Sequence, residues 1–288
     1  MIIKELLQKS TQELPNRELG RLEVEVLLAH ALGFTKEQLF CAYDQDASDA
    51  SLDLFYAGLD RLKEGEPLSY VIGEKEFYDL SFKVGKGVLI PRPETEWLVE
   101  KIISLSTSHF STGASIADIG TGSGCIGVSL AKNLPTAKIV LVDISPDALD
   151  IARENVSRHA VGDRALVIQS DLLNTIIDQH FDIIVANLPY IGEKKFHFVA
   201  QDVDKYEPHI ALYGGHDGLQ LYKKMFQQIQ DMKSKPSYLF GEFGFAQTED
   251  ISSLLDTFFV QSGGVYEIVP DLAGIDRYFI VSLAGLPL

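Results

Sequence analysis

Apolar residues in the first part of the chain recur at helical spacing. Leu22 and Val26 lie on one predicted helical face, and Gly33 stands where a glycine commonly ends a helix. Thr35 and Gln38 have the spacing of a capping box, in which two side chains close the first turn of the next helix. Strand patterns are nearly absent from this part of the sequence. We therefore predict a small helical domain at the N-terminus.

The spacing of apolar residues changes from three or four to two after this helical part. Apolar and polar residues alternate over 80–84, glycines in the segment 85–87 supply a turn, and the apolar residues 88–90 return as a second strand. Two prolines then end the strand, and helical spacing follows over 94–103. This segment predicts a β-hairpin linker over residues 77–92, after a helical domain over residues 1–76.

Strand-like and helix-like segments alternate over the rest of the chain. Ser145 before Pro146 gives one predicted helix an N-cap and a proline at its first position. Alternation of this kind implies right-handed βαβ crossovers and a parallel sheet, so we predict an α/β fold with a mostly parallel, seven-stranded sheet over residues 93–288. The predicted strands are 115–119, 138–142, 165–169, 181–186, 237–240, 265–269 and 278–283.

The net charge of the chain limits the kinds of molecule that it is expected to bind. The 288 residues include 25 basic and 41 acidic side chains, which gives a net charge of −16. Residues 1–80 hold 8 basic and 16 acidic side chains, and residues 81–288 hold 17 and 25, so each part carries −8 and the acidity is denser at the N-terminus. Such a field repels polyanions. We predict no direct binding of nucleic acid and a basic protein as partner.

Other general features exclude several classes of protein. No run approaches the ~18 apolar residues of a membrane span, and the first ten residues alternate apolar and charged positions unlike a secretory signal. Cys41 and Cys125 lie far apart without the spacing of a zinc site, and both are predicted to be packing residues. We expect a cytoplasmic monomer without a disulfide, a bound metal or a membrane association.

The first candidate site is a glycine-rich turn directly after the predicted strand 115–119. Glycines allow the backbone to turn tightly and to approach a ligand closely. Gly122-x-Gly124-x-x-Gly127 formally matches the dinucleotide-binding pattern, but a strand that ends at Ile119 favours the register that begins at Gly120. In that register, the turn resembles motif I of S-adenosylmethionine-dependent methyltransferases. Its residues are Asp118, Gly120, Thr121, Gly122, Ser123 and Gly124.

Acidic residues end the next two predicted strands. Asp143 follows the strand 138–142, where its carboxylate can accept hydrogen bonds from a ribose diol. Asp171 follows the strand 165–169, where it can accept from an adenine amino group while the N–H of Leu172 meets a ring nitrogen. Ligands of open α/β sheets bind along this edge, so the order of the three features indicates a nucleoside site.

The most specific motif is Asn187-Leu188-Pro189-Tyr190, directly after the predicted strand 181–186. It resembles the Asn-Pro-Pro-Tyr motif of methyltransferases that modify planar amide or amino nitrogens. An amide nitrogen is a poor nucleophile, so a site must fix both of its hydrogens and direct the nitrogen at the methyl carbon. The Asn187 oxygen and the Leu188 carbonyl can each accept one N–H, while Pro189 fixes the turn and Tyr190 covers the planar group.

Taken together, these motifs and the stretches 66–78, 89–96 and 206–212 resemble the HemK/PrmC family, the N5-glutamine methyltransferases of class 1 peptide-chain release factors. The resemblance implies a Rossmann-like class I methyltransferase domain behind a helical domain that helps to grip the release factor. It implies S-adenosyl-L-methionine as methyl donor, S-adenosyl-L-homocysteine as product, and the glutamine of the Gly-Gly-Gln loop as substrate. The glycine turn, Asp143, Asp171, Leu172 and Asn187 would hold the donor.

By the same resemblance, residues 187–190 would hold the glutamine, with a contribution from Arg92 in the segment 90–96. Leu188 departs from the family pattern, which usually has proline there. Leucine keeps the carbonyl but adds an N–H that needs a partner, so we expect Leu188→Pro to preserve methylation. Phe196 and Phe198 are candidates to border a substrate channel, while His209 and His216 are predicted to be surface residues.

Three other functions compete with this interpretation. An N6-adenine methyltransferase of nucleic acid would present the same planar amine to Asn187 and Leu188, but the negative charge of the chain argues against it. The protein would alternatively be a non-catalytic adaptor that binds a translation factor, and Leu188 would then be a sign that the catalytic motif has decayed. A nicotinamide oxidoreductase fits less well, because no proton donor accompanies the glycine turn.

Overall fold

A computed structural model of the chain describes residues 1–14, 17–193 and 199–288. Phe196 and Phe198 lie outside the described residues. The chain divides into two compact units. The first unit consists of residues 1–74 and 201–206, and the second consists of the described residues within 75–200 and 207–288.

The described elements alternate between helices and strands after a purely helical beginning. The helices are α1 (Ile3–Gln12), α2 (Arg17–Leu32), α3 (Lys36–Cys41), α4 (Asp49–Lys63), α5 (Leu68–Ile72), α6 (Glu96–His109), α7 (Cys125–Asn133), α8 (Pro146–Arg158), α9 (Gln201–Tyr206), α10 (Gln220–Asp231) and α11 (Thr248–Phe258). The strands are β1 (Glu74–Phe77), β2 (Leu80–Lys83), β3 (Ser115–Ile119), β4 (Lys138–Asp143), β5 (Ala165–Gln169), β6 (Ile183–Ala186), β7 (Tyr238–Glu242), β8 (Val265–Pro270) and β9 (Asp276–Ser282).

The first unit is helical, as its sequence pattern predicts. Apolar faces of its helices form one core, in which Leu28 and Phe55 are fully buried. Gly33 ends α2 with φ of +67°, a left-handed conformation that glycine adopts readily. The capping box is confirmed, because the Thr35 N–H donates to Gln38 Oε1 (2.8 Å) and the Gln38 N–H donates to Thr35 Oγ1 (3.2 Å).

The hairpin uses an earlier pair of strands than the sequence pattern predicts. β1 and β2 pair across a two-residue turn at Tyr78 and Asp79, both with positive φ (49° and 58°), as tight hairpins require. The prediction that residues 88–90 form the second strand is wrong. Their backbone is used elsewhere, since the Ile90 N–H donates to the buried carboxylate of Glu207 (3.0 Å).

The large sheet of the second unit has the strand order β5-β4-β3-β6-β7-β9-β8 within the described residues. β3 to β7 run parallel, while β9 is antiparallel to both of its neighbours. The predicted seven-stranded, mostly parallel sheet is therefore confirmed. The chain passes from β3 to β4 and β5 on one side and then to β6 and β7 on the other, so β3 lies at the topological switch point, where ligands of such sheets bind.

Side chains of the central strands point alternately to two cores. Ile116 and Ile139 pack into one core, with α6 and α7, and Ala117 and Val142 pack into the other, with α10 and α11. The four residues of β6 are all buried. Coverage of both faces leaves the carboxyl edge of the parallel strands for loops, which is where polar side chains are placed. Among the described residues, no helix is long and apolar enough to cross a membrane.

Candidate active site

A cavity of about 430 Å³ opens at the carboxyl edge of the sheet in the second unit. Its volume lies in the range of about 300 to 1,000 Å³ that is usual for small-molecule sites. Most of the residues singled out from the sequence line this strand-edge cavity. They are Arg92, Gly120, Thr121, Gly122, Ser123, Asp143, Asp171, Leu172, Asn187, Leu188 and Pro189.

The glycine turn has the conformation that its sequence predicts. Gly120, Gly122 and Gly124 adopt positive φ of 71°, 54° and 83°. The N–H groups of Gly120 and Thr121 donate to the Val142 carbonyl (2.8 and 2.9 Å), which ties the turn to β4. A Cβ atom at Gly122 would meet no described atom within 4 Å, so the backbone there faces open space. The turn thus presents bare backbone to the cavity.

Asp118 supports this turn from inside the protein and is not among the described residues that line the cavity. Its Oδ2 accepts hydrogen bonds from Thr121 Oγ1 (2.6 Å) and the Gly127 N–H (2.9 Å). Its Oδ1 has no hydrogen-bond partner among the described residues. Burial raises the pKa of Asp118 to about 6, although the two hydrogen bonds oppose the shift. A Cβ atom at Gly127 would lie 3.0 Å from Oδ2. Close packing against Asp118 therefore explains why residue 127 is a glycine.

Asp143 closes the turn from the end of β4. Its Oδ2 accepts from the Gly122 N–H (2.9 Å) and its Oδ1 accepts from the Ser145 N–H (2.9 Å). Burial raises the pKa of Asp143, and these backbone donors partly oppose the rise. The Ile144 N–H also reaches this carboxylate, so only part of its acceptor capacity remains for a further donor. Ser145 also caps α8 through the Ala148 N–H (3.3 Å), as the sequence predicts.

Asp171 and Leu172 line the cavity at the next strand end, after β5. The Asp171 carboxylate forms an ion pair with Lys224 of α10. Leu172 has φ of +53°, which a non-glycine residue adopts rarely. Gln228 of α10 holds the segment in place, because its Oε1 accepts from the Leu173 N–H (2.9 Å). No sequence pattern had indicated a role for Lys224 or Gln228 of α10.

Asn187 follows β6, and its side-chain amide has two close partners. Its Nδ2 lies 3.1 Å from Thr95 Oγ1 and 3.1 Å from Glu242 Oε2. Thr95 Oγ1 in turn donates to Glu242 Oε2 (2.7 Å). The amide nitrogen therefore faces two acceptors inside the protein, and Oδ1 remains as the acceptor of this cavity-lining residue.

Leu188 is buried, and the structure supplies a partner for its extra N–H. A hydrogen bond from the Leu188 backbone lowers the pKa of the Tyr222 hydroxyl, which burial nevertheless raises well above its usual value. Tyr222 donates to the Ala186 carbonyl (3.0 Å). The Leu188 side chain packs over the glycine turn, since a Cβ atom at Gly120 would lie 2.9 Å from Leu188 Cδ2.

Tyr190 differs from its three neighbours, because it is not among the described residues that line the cavity. Its hydroxyl donates to Glu242 Oε1 (3.3 Å), and burial raises its pKa. Gln247 fixes the backbone here, since its Nε2 donates to the Tyr190 carbonyl (2.9 Å). Gly244 lets the ring approach, because a Cβ atom there would lie 2.9 Å from Tyr190 Cδ2.

Arg92 lines the cavity and pairs with a buried acid. Its guanidinium donates to Glu207 Oε1 (2.5 Å), and Glu207 Oε2 accepts the Ile90 N–H. The Glu207 side chain is 1% exposed and that of Arg92 is 34% exposed. This ion pair joins two stretches that the sequence comparison singled out separately, 89–96 and 206–212.

Sequence reasoning missed Glu242 and did not assign a role to Thr95. Glu242 is the last residue of β7. The signal that could have identified it is an acidic residue at the end of an apolar strand run. Thr95 is the last residue of a short 3₁₀ turn before α6. The two are 147 positions apart, so no local pattern relates them.

The remaining candidates have simple explanations. His209 and His216 are exposed, as predicted. Cys125 is buried, and burial raises the pKa of its thiol to about 12. The prediction that Cys41 is a packing residue is wrong, because it lies exposed at the end of the short helix α3. Among the described residues, no group of three or more acidic, histidine or cysteine side chains is arranged to hold a metal ion.

Two protein families match separate parts of the chain. Residues 5–73 match the PrmC N-terminal domain, and residues 95–205 match the methyltransferase small domain. A release factor glutamine methyltransferase of Rhodopirellula baltica is 37% identical over 90% of this chain and 88% of its own length. The chain belongs to the release factor glutamine methyltransferase family. The resemblance predicted from the sequence is thereby confirmed.

Two further comparisons extend this result. A bifunctional methyltransferase of Rickettsia typhi is 32% identical over 99% of this chain, which spans 58% of that larger protein. The N-terminal domain of human METTL16, solved in complex with SAH, has a TM-score of 0.52 and 19% identity, and the match covers 72% of this chain and 76% of that one. At such identity the likeness supports the class I methyltransferase fold of this family member.

The residues of the cavity fit a sulfonium nucleoside as methyl donor. Positive φ at Gly122 and the open space beyond its Cα leave room for a ligand against the backbone. Asp143 lines the same wall with part of its acceptor capacity still available, which suits a ribose hydroxyl. Asp171 and Leu172 form the next part of the wall.

Proposed function

We propose that this protein transfers a methyl group from S-adenosyl-L-methionine to the N5 atom of a glutamine in a class 1 peptide-chain release factor. The observation that supports it most directly is the orientation of Asn187, whose amide nitrogen is held by Thr95 and Glu242. Its carbonyl oxygen is then the group available to a planar amide. Family membership supports a release factor glutamine as the substrate, since the Rhodopirellula baltica relative is named for it.

The donor supplies an electrophilic methyl carbon on a sulfonium. The chain's own residues orient the acceptor: Asn187 Oδ1 accepts one N–H of the glutamine amide, and the Leu188 carbonyl accepts the other. Two acceptors in a fixed turn remove the rotational freedom of the amide, which lowers the barrier by orientation. As the nitrogen forms its bond to carbon, the carbon–sulfur bond breaks, and one N–H proton passes to water.

The donor side is assigned to the residues of the turn and the following strand ends. We propose that Gly120 to Gly124 contact the donor through their backbone and that Asp143 accepts from its ribose. Asp171 and Leu172 would meet the adenine, with Asp171 already oriented by Lys224. Asp118 would act through the turn, since its carboxylate holds Thr121.

Arg92, Pro189 and Tyr190 would support the glutamine side. Arg92 is held by Glu207, so its remaining N–H groups are the part that can meet a peptide carbonyl. Pro189 lines the cavity and fixes the turn. The Tyr190 hydroxyl binds Glu242, so the role of its ring in covering the planar group stays a prediction.

Mass spectrometry of purified release factors tests the function. Incubation with the enzyme and donor should add about 14 Da to the peptide that contains the Gly-Gly-Gln motif. Asn187→Ala should abolish the gain. Asn133→Ala, at the end of α7 and outside the described cavity lining, is the matched control and should leave it intact. Methylation of duplex DNA or RNA with none on a release factor would favour the N6-adenine alternative, and donor binding without transfer would favour the adaptor.

Partner recognition is assigned to the acidic N-terminal part. Residues 1–80 carry a net charge of −8, which attracts a basic protein and depends on ionic strength. Raising salt from 50 to 300 mM should increase KM for the whole release factor about 5-fold. KM for a short, uncharged Gly-Gly-Gln peptide should stay constant. A constant KM for both substrates would contradict the electrostatic part of the proposal.

A further inference from the structure

The geometry points to Glu242 and Thr95 as positioning residues that fix which end of the Asn187 amide faces the substrate. This inference rests on the proposed function, because it explains how the glutamine-binding oxygen is oriented. Three segments that are distant in sequence meet at this point: the 3₁₀ turn before α6, the end of β6 and the end of β7. We define Thr95, Asn187, Tyr190 and Glu242 as the orienting cluster.

Donors and acceptors within the cluster allow one arrangement of the Asn187 amide. An ionised carboxylate can only accept hydrogen bonds, and a hydroxyl has a single hydrogen to donate. The Thr95 hydroxyl hydrogen is directed at Glu242 Oε2, so toward Asn187 the Thr95 oxygen can only accept. If the amide were flipped, Oδ1 would face two acceptors and no donor. The nitrogen must therefore point into the protein, and the oxygen toward the cavity.

Burial makes this arrangement hard to replace with water. Glu242 is 1% exposed and Thr95 is 3% exposed. The second carboxylate oxygen of Glu242 is occupied by the Tyr190 hydroxyl. A flipped amide would leave buried polar groups without partners, which is costly because solvent does not reach them to compensate. The cluster thus makes the orientation of Asn187 a property of the folded protein before substrate arrives.

Protonation of Glu242 would weaken the cluster, since a neutral carboxyl gives one of its oxygens a hydrogen. Burial raises the pKa of Glu242, while hydrogen bonds from Thr95 and Tyr190 and the charge of Arg277 on β9 oppose the rise. Glu94, before α6, adds a negative charge that raises it further. We therefore expect kcat to fall on the acid side as Glu242 takes up a proton.

Thr95→Val and Thr95→Ser are the decisive pair of variants. Valine has nearly the shape of threonine but no hydroxyl, so kcat for a Gly-Gly-Gln peptide should fall at least 10-fold while Kd for S-adenosyl-L-homocysteine stays within 2-fold. Serine keeps the hydroxyl and should restore most of the lost kcat. Thr107→Val, on an exposed turn of α6, is the matched control and should leave kcat unchanged. Equal activity of the valine and serine variants would overturn the inference.

Glu242→Gln supplies a second test. One oxygen survives in glutamine and can still accept from Thr95 and Asn187, so the loss of kcat should be smaller than in Thr95→Val. The acid limb of the kcat profile should disappear, because glutamine does not titrate. An unchanged acid limb would assign that titration to another group. A parallel loss of donor affinity would show a general collapse of the site instead of a positioning role.

A measurement on the unaltered enzyme separates this inference from the proposed function. NMR of the side-chain NH₂ of Asn187, assigned by its loss in Asn187→Ala, should show protection from solvent exchange of at least 10-fold over the side-chain amide of a free asparagine peptide. Exchange at the rate of a free amide would overturn the positioning role even if methylation is observed. Protected protons together with absent methylation would instead contradict the proposed substrate.

Discussion

The two halves of the strand-edge cavity are built in different ways. The wall from β3 and β4 consists of a glycine turn and Asp143. Its main contacts join backbone N–H groups of the turn to the Val142 carbonyl and the Asp143 carboxylate, 21 or 22 positions away. The wall from β6 consists of side chains, and Thr95 and Glu242, which hold Asn187, lie 147 positions apart. The first half depends on local backbone conformation, and the second depends on the folded sheet.

This difference predicts separable defects. Changes in the backbone half should alter binding of the donor, while changes in the side-chain half should alter the rate of transfer at constant donor affinity. An interaction that orients the reacting group contributes to the transition state and lowers kcat when it is lost. Asn187→Ala and Asp143→Ala, one variant from each half, are therefore measured for kcat and for the Kd of S-adenosyl-L-homocysteine.

Asn187→Ala should have the largest effect. It removes the acceptor for one substrate N–H, and loss of one such polar contact commonly costs about 100- to 1,000-fold in kcat, or about 3 to 4 kcal/mol. Calorimetry should show the donor Kd changed less than 3-fold. A large loss of donor affinity with kcat preserved would reverse the assignment of the two halves.

Asp143→Ala should show the opposite defect. It removes the acceptor of the Gly122 and Ser145 N–H groups and the proposed ribose contact. Donor affinity should weaken about 30- to 100-fold, which corresponds to about 2 to 3 kcal/mol. At saturating donor, kcat should recover to within about 5-fold. Failure to recover at any donor concentration would mean that the backbone half also orients the acceptor.

Leu188→Pro should separate stability from activity. Proline keeps the carbonyl but removes the N–H beside Tyr222 and the side chain that packs over Gly120. We expect unfolding free energy to fall by about 1 to 3 kcal/mol, from lost buried atoms, and kcat to stay within about 10-fold. Denaturant unfolding and peptide methylation measure the two. A 100-fold loss of kcat in a folded variant would contradict the role of the carbonyl.

Asp118→Asn should have the smallest effect, seen as a change in the pH dependence of stability. The folded-state pKa of Asp118 is raised to about 6, so its contribution favours the folded state below the unfolded value near 3.8 and is lost as pH rises through about 6. Between pH 5 and 7.5, the wild type should lose about 1 kcal/mol more than the variant. Parallel curves in urea unfolding would show that Asp118 does not titrate in this range.

The comparison of the two halves also explains what the sequence revealed. Strand runs such as 115–119 and the order of Gly120, Asp143 and Asp171 follow from local patterns. These patterns predicted the sheet and residues that line one wall of the cavity. The hairpin prediction failed at 88–90, because the Ile90 N–H pairs with Glu207, over a hundred positions away.

Glu242 and Thr95 were not assigned to the site from the sequence, because their contacts are also distant along the chain. An acidic residue at the end of an apolar run has several ordinary explanations. Its partner becomes evident only from the sheet, in which β6 and β7 are adjacent. Asn187 was found from its motif, but the direction of its amide depends on those two neighbours. The residue types of the site were predictable from the sequence. The direction in which the Asn187 amide points depends on tertiary structure.

The contact between Gly120 and Leu188 has an evolutionary consequence. A methyl group at position 120 would lie 2.9 Å from Leu188 Cδ2, the flexible end of that side chain, and the φ of +71° would strain it in any case. The backbone therefore requires glycine at position 120 whichever residue stands at 188. Descendants of this chain should keep Gly120 even where position 188 changes.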